Sequence, residues 1–322
     1  MFRAFFSTMT QGASIPLRRR LRSRLEVLVF HLASRLIPSL SRRSIVALAH
    51  FAGHLAWLVA RRERRIALAN LDLAFGSTFS AQAKKDIVRQ SFATFALTGL
   101  DYFWFSRDRE KRMAKWVVVH DPNWPWMLDG ATIAVTAHYG NWEIMGWVTS
   151  SHCATVASVA KPVKNPLIDA EINRLRTLSG QRIIPREGAL RSLVRVLREG
   201  GTVALLLDQD TLPSEGGVFV PFFDVPVPVS TAAAGLALKL KVPILMAFCA
   251  SDDKGVYHCH TRELLRPKDI EGMTPLDVTV MITNFLEKLL REDPGHWLWT
   301  YKRWKRRLPD FDPARYPFYA DC

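Results

Sequence analysis

The residues able to do chemistry concentrate in one short segment, Thr136-Ala137-His138-Tyr139-Gly140-Asn141-Trp142-Glu143. The apolar run Ala131–Ala137 before it predicts a strand that delivers His138 to its C-terminal end. Gly140 permits a tight turn, Asn141 is a helix-capping type, and Glu143 would fall in the first turn of the helix that follows. A carboxylate at that corner could orient the imidazole and favour its charged form. The second ring nitrogen would then be left to take a proton from an alcohol. The same residues also suit a capping histidine with an unrelated surface Glu, and spacing alone leaves both readings open. Two further groups stand out. Asp208-Gln209-Asp210 follows the apolar run Thr202–Leu207, and Arg174 and Arg176 share a predicted helix. By residue type alone these are acids in a loop after a buried strand and arginines on a solvated helix face. Tyr257-His258-Cys259-His260 contains an HxH pair. Strand alternation puts both imidazoles on one face and Cys259 on the other, with too few convergent ligands to predict a metal site.

The elements that must position these residues alternate. Strands are expected at Ala154–Ala160, Thr202–Leu207, Val218–Phe223, Val242–Phe248 and Val256–His260, besides the one ending at His138. Helices are expected over Asn165–Leu178, Gly188–Glu199, Thr231–Leu240 and Pro275–Arg291, and Asp121–Trp126 reads as a break. Alternation of this kind indicates an α/β fold, a mixed but largely parallel sheet flanked by helices. In such sheets ligands bind at the C-terminal strand edge, where His138 is expected. Upstream, a Gly-Ser-Thr turn separates one helix from a long one capped by Ser80.

The net charge of +14 on 322 residues is uneven. Thirteen arginines and only two acids fall in residues 1–70, and Lys302–Arg307 is a second basic run. Between the arginines lie two apolar stretches, Leu25–Leu40 and Ser44–Ala60. The first is interrupted by Glu26 and Arg35, and the second is only 17 residues long, the lower edge for a span. Both suit amphipathic helices lying in a membrane interface, with arginines facing anionic headgroups. We therefore expect residues 1–65 to form a membrane-associating portion and residues 66–322 an α/β domain that includes the helices before its sheet. The basic runs lack any nucleic-acid-binding motif around them, so no nucleic-acid partner is expected. Four scattered cysteines without a CxxC pair indicate neither a zinc ribbon nor a disulfide scaffold.

His138-x4-Glu143 resembles the HX4(D/E) motif of glycerolipid acyltransferases. The fuller pattern resembles the late acyltransferases of lipid A biosynthesis, the lauroyl and myristoyl transferase group. Ala69–Phe75 is similar to that family's NLxLxFP segment, and Lys161–Asp169 to the stretch after its second strand. Asp208-Gln209-Asp210 resembles its DQD segment, Val218–Phe223 its VPFFG segment, and Pro294–Lys305 its tryptophan- and arginine-rich ending. These segments cover about residues 66–307 in register. The resemblance implies acyl transfer to a hydroxyl of a lipid A precursor at the cytoplasmic face of the bacterial inner membrane. His138 would be the general base and Glu143 its holder, with Arg176 and Asp210 also catalytic. Asn141, Lys161, Arg174 and Asp208 would contact substrate. No cofactor or metal is implied, because the acyl chain would arrive as a thioester on acyl carrier protein or CoA. The acidic carrier could dock on Lys302–Arg307, for which lipid phosphates compete. Gly76, Asp224, His296 and Lys302 depart from the family pattern. They leave open a lysophospholipid or ornithine-type acceptor, or a catalytically silent lipid-binding protein of the same fold.

Overall fold

The computed structural model describes residues 17–120 and 130–321, so the expected break at Asp121–Trp126 lies outside the described residues. Helices come first: α1 (Leu17–Leu36), α2 (Arg42–Val59), α3 (Arg61–Phe75), α4 (Ala81–Trp104) and α5 (Arg109–Trp116). A short strand β1 (Val117–Val119) leads to the alternating body. Its first half is β2 (Thr132–Thr136), α6 (Trp142–His152), β3 (Val156–Ala160), α7 (Pro166–Thr177), β4 (Gln181–Pro185), α8 (Ala189–Arg198) and β5 (Thr202–Leu206). A hairpin follows, β6 (Gly217–Phe222) and β7 (Val225–Ser230), and then α9 (Ala232–Leu240), β8 (Ile244–Ser251), β9 (Tyr257–Leu265) and α10 (Pro275–Glu292).

Seven strands make one sheet in the order β1-β9-β8-β2-β5-β3-β4. Every neighbouring pair is parallel except β8–β9. The sheet is therefore mixed and largely parallel, as the alternation predicted. Strand β8 shows how one apolar run serves two layers. Ile244, Met246 and Phe248 point to the core shared with α9 and α10, while Leu245, Ala247 and Cys249 point to the core shared with α6 and α4. A side-chain period of two divides the run between the faces. Sequence reading misses β1, β4 and β7. β4 is an edge strand with Gln181 and Arg182 breaking its apolar pattern, and β7 carries Pro226 and Pro228, which argue against a strand until the partner is seen. In the two-stranded ribbon they face Pro221 and Phe219 of β6.

Local signals set the helix ends. Ser80 accepts the Ala83 amide at 3.2 Å and starts α4, and Ser41 does the same for α2 through Ser44 at 3.1 Å. Pro166 begins α7 behind the capping Asn165. Helix α2 lies on α4 with Ile45, Ala49 and Gly53 buried, and its other side exposes Leu48, Phe51, Leu55 and Leu58. Among the described residues no single helix is long and apolar enough to cross a membrane. The pair α2–α3, bent by 93°, passes that test jointly on length and composition.

Helices α2 and α4 come close at Gly53, where an added Cβ would lie 2.7 Å from the Ala93 Cα. Gly53→Val is expected to destabilise the protein by about 1–3 kcal/mol, more than helix propensity returns. Denaturant unfolding measures this, and an unchanged midpoint would mean that α2 is not seated on α4.

Candidate active site

The last residues of β2 and the first turn of α6 form a sharp corner, His138–Glu143. Gly140 adopts φ +56°, and a Cβ there would meet the Cys249 carbonyl oxygen at 1.9 Å, so only glycine fits. The corner is tied down on all sides. The Gly140 amide donates to His296 O at 2.9 Å, the Asn141 amide to Cys249 O at 2.7 Å, and the Leu298 amide to His138 O at 3.1 Å. Asn141 caps α6 by accepting the Ile144 amide at 3.0 Å, as its position predicted. Its amide group donates to Tyr257 Oη at 2.9 Å, so this side chain, only 1 % exposed, is spent on the corner itself.

The expected partner of the imidazole is replaced. His138 Nδ1 lies 2.9 Å from Asp208 Oδ1, and the His138 backbone amide donates to Oδ2 of the same carboxylate at 2.9 Å. Trp297 Nε1 adds a third donor to Oδ2 at 2.9 Å. Glu143 makes no hydrogen bond to the ring. It pairs instead with Arg176, whose Nε is 3.0 Å from Oε2 and whose second nitrogen bonds Oε1. The physical reason is direction. Glu143 sits on the first turn of α6 facing α7, whereas the loop after β5, the strand adjacent to β2, points Asp208 straight at Nδ1.

The charges agree with this geometry. Burial pulls the His138 pKa down, but the Asp208 charge and hydrogen bond, helped by Glu143, outweigh it and hold the value above ordinary histidine. Burial pushes Asp208 up, but His138, its own backbone donor and Trp297 bring it below the ordinary carboxylate. Burial likewise lowers Arg176, and Glu143 more than restores it. With Nδ1–H given to Asp208, Nε2 carries the lone pair. The Trp142 ring packs 4.9 Å from the imidazole, and the Gln209 amide stands 3.4 Å from Nε2.

Asp210 does not reach His138. Arg303 bonds its Oδ1 at 2.9 Å, Lys305 approaches its Oδ2 at 3.3 Å, and its backbone amide donates to Tyr301 Oη at 3.0 Å. The C-terminal segment therefore clamps the Asp208–Asp210 loop at both acids. Arg303 is only 1 % exposed, which removes it from the basic surface expected over Lys302–Arg307. Trp297, Trp299 and Trp304 are fully buried, so they belong to the core and are not membrane anchors. Arg174 is exposed and paired with Glu171 at 2.6 Å, and Lys161 is exposed in the loop after β3. Sequence reading missed the roles of Gln209, Trp297, Arg303 and Lys305, although all four stand in segments it had singled out. His258 and His260 share a face as alternation predicted, both stacked on His120, while Cys259 turns inward with its Sγ 3.1 Å from that of Cys249. Burial, followed by His120, Arg262 and His258, presses His260 down to about 4.

A largely parallel sheet thus presents a His–Asp pair at its C-terminal edge, beside a Glu–Arg pair, where folds of the α/β class bind their ligands. A family model of bacterial lipid A biosynthesis acyltransferases matches residues 20–306, and the chain belongs to that family. It is thus an acyltransferase of lipid A and lipopolysaccharide biosynthesis. No curated protein matches the chain.

Replacing Asp208 by Asn removes the charge and the charge-assisted hydrogen bond that raise His138 most, leaving only the contribution of Glu143. Its titration midpoint, read from the ring Cε1–H resonance, is expected to fall, and an unmoved midpoint would show that Asp208 does not set it. The pairing also makes stability depend on pH. The histidine share is complete below the unfolded value of about 6.5 and is lost as pH rises through the raised folded value. The Asp208 share is present above the ordinary carboxylate range and is lost as pH falls through its depressed value.

Proposed function

We propose that this enzyme moves a fatty acyl chain from an acyl carrier thioester onto a hydroxyl of a lipid A precursor, with His138 as general base. The observation that carries the reading is the Asp208–Nδ1 bond, which leaves Nε2 as the basic nitrogen. The acceptor hydroxyl gives its proton to Nε2 as its oxygen attacks the thioester carbonyl. The tetrahedral oxyanion then collapses, the C–S bond breaks, and the thiolate takes the proton from His138. No covalent enzyme intermediate is needed. The first-turn amides of α6 and the Arg176 guanidinium supply positive character where the oxyanion develops. Glu143 fixes Arg176 and lends its charge to His138, and Asp210 acts through Arg303 to hold the loop that carries Asp208. Lys161 and Arg174 are exposed cations available to lipid phosphates.

Residues 1–65 form the membrane-associating portion of this reading, and residues 66–322 the catalytic one. Leu25, Leu28, Val29 and Leu32 of α1 and Phe51, Leu55 and Leu58 of α2 are exposed, with Arg24, Arg35, Arg43, Arg61 and Arg62 around them. A helix with one apolar face and a basic border lies in a headgroup interface and is drawn there by anionic lipid. We read the enzyme as working at the cytoplasmic face of the inner membrane, with the acyl chain delivered as a thioester on acyl carrier protein or CoA.

His138→Ala is expected to reduce transfer about 10²–10⁴-fold, read as the mass gain of one acyl chain on a lipid A precursor in detergent micelles. A gain only on lysophospholipid or ornithine-type acceptors would keep the chemistry and change the substrate. Activity retained in the variant would remove the general base. The kcat/KM of the wild type is expected to rise with pH through the raised His138 value, and Asp208→Asn should move that limb to lower pH. Membrane attachment has its own test, Phe51→Glu with Leu55→Glu. Binding to anionic vesicles should fall while micellar activity persists, and undiminished binding would place the attachment elsewhere.

A further inference from the structure

A buried polar chain joins the exposed-faced helix α2 to the catalytic corner. Arg42, in the first turn of α2, is 4 % exposed and forms an ion pair with Asp101 of α4, which is 0 % exposed. The guanidinium also bonds the Gly255 carbonyl, at 2.9 Å through Nε and 2.6 Å through a terminal nitrogen. It lies 5.0 Å from the Trp104 ring centroid and 5.4 Å from that of Tyr257. On the other side Tyr257 Oη donates to Asp101 Oδ2 at 2.6 Å and accepts the Asn141 amide group at 2.9 Å. Asn141 is the cap of α6 and closes the turn that carries His138. One turn earlier on α4, Thr98 Oγ1 donates to the Gly140 carbonyl at 3.1 Å. Helix α4 therefore grips the corner twice, directly through Thr98 and through Tyr257 from Asp101.

A buried ion pair is weak evidence for stability, because well-packed apolar groups of the same volume serve as well or better. What this pair does supply is a fixed direction for the Tyr257 hydroxyl, and through it for the Asn141 side chain. We propose that Asp101 is a positioning residue for acyl transfer: paired with Arg42 of α2, it holds Tyr257 and Asn141 so that the Gly140 turn sets His138 against Asp208. This rests on the acyl-transfer reading above, with His138 as base. Helix α2, whose outer face meets lipid in that reading, is then fastened to the same network that orients the base.

Two variants test it in the full-length protein, Asp101→Asn and Tyr257→Phe. Phenylalanine keeps the ring packing and the Arg42–Asp101 pair while removing the hydroxyl that reaches Asn141. The expected result for both is a kcat lower by about tenfold, since small misplacements of reacting groups are costly, with the acceptor KM within about twofold. The His138 titration midpoint should move in both, while Tyr257→Phe, which leaves Asp101 Oδ2 and the Asn141 amide group unmet, lowers the thermal midpoint but stays folded at the assay temperature. Unchanged kcat and an unmoved His138 midpoint would overturn the proposal. So would a loss of activity that only tracks the loss of folded protein. If Asp101→Asn does not fold, Tyr257→Phe decides alone. An inactive wild type would overturn the acyl-transfer reading, while the His138 titration would still decide the positioning role.

Discussion

Three donors converge on the Asp208 carboxylate: the His138 ring, the His138 backbone amide and the Trp297 indole. A carboxylate this deeply buried is costly unless its lone pairs are met, and charge-assisted bonds of good geometry are what meet them. The requirement reaches far through the chain. β5 must lie beside β2 for the loop to arrive, the Gly140 turn must close for the amide to point correctly, and the C-terminal segment must bridge Tyr139 for Trp297 to enter. The site is therefore a product of sheet order, and no single loop contains it.

Helix α4 is the second organising element. It receives α2 along Ala93, bonds the Gly140 carbonyl through Thr98, and holds the Trp297 carbonyl through Ser91. The helical portion and the sheet are thus joined by hydrogen bonds at the His138–Glu143 corner as well as by apolar packing. Helix α7 adds a smaller link of the same kind, since Asn165 reaches Ser23 of α1 at 3.2 Å while the far end of α7 supplies Arg176.

The sequence shows the alternating architecture clearly because β2, β5 and β8 are apolar runs bounded by turn residues, and because Ser80 and Asn141 stand where caps belong. It also places His138 at a strand end and Glu143 in a first turn. It could not show which carboxylate meets the imidazole. That choice depends on β5 being the neighbour of β2, a pairing of residues 70 positions apart that no local pattern encodes. Asp208 stood out in the sequence only through the family resemblance, and not as the partner of His138. The three tryptophans near the C-terminus suit an interface or a core equally by type, and only their burial decides. Arg303 belongs to a basic run by composition, yet Asp210 draws it inside.

The stitching of the corner by residues 296–298 has a consequence for the order in which the molecule matures. A ribosome makes α1 and α2 before the sheet, and their exposed apolar faces can meet lipid while most of the sheet is still unmade. His138 emerges next, but Trp297 and the amide of Leu298 follow some 160 residues later. At bacterial synthesis speeds of about 5–20 residues per second, that is an interval of roughly ten to thirty seconds. During that interval the histidine has no completed partner. The His138–Asp208 pair is thus completed only once residues 296–298 have emerged, long after the helices with exposed apolar faces.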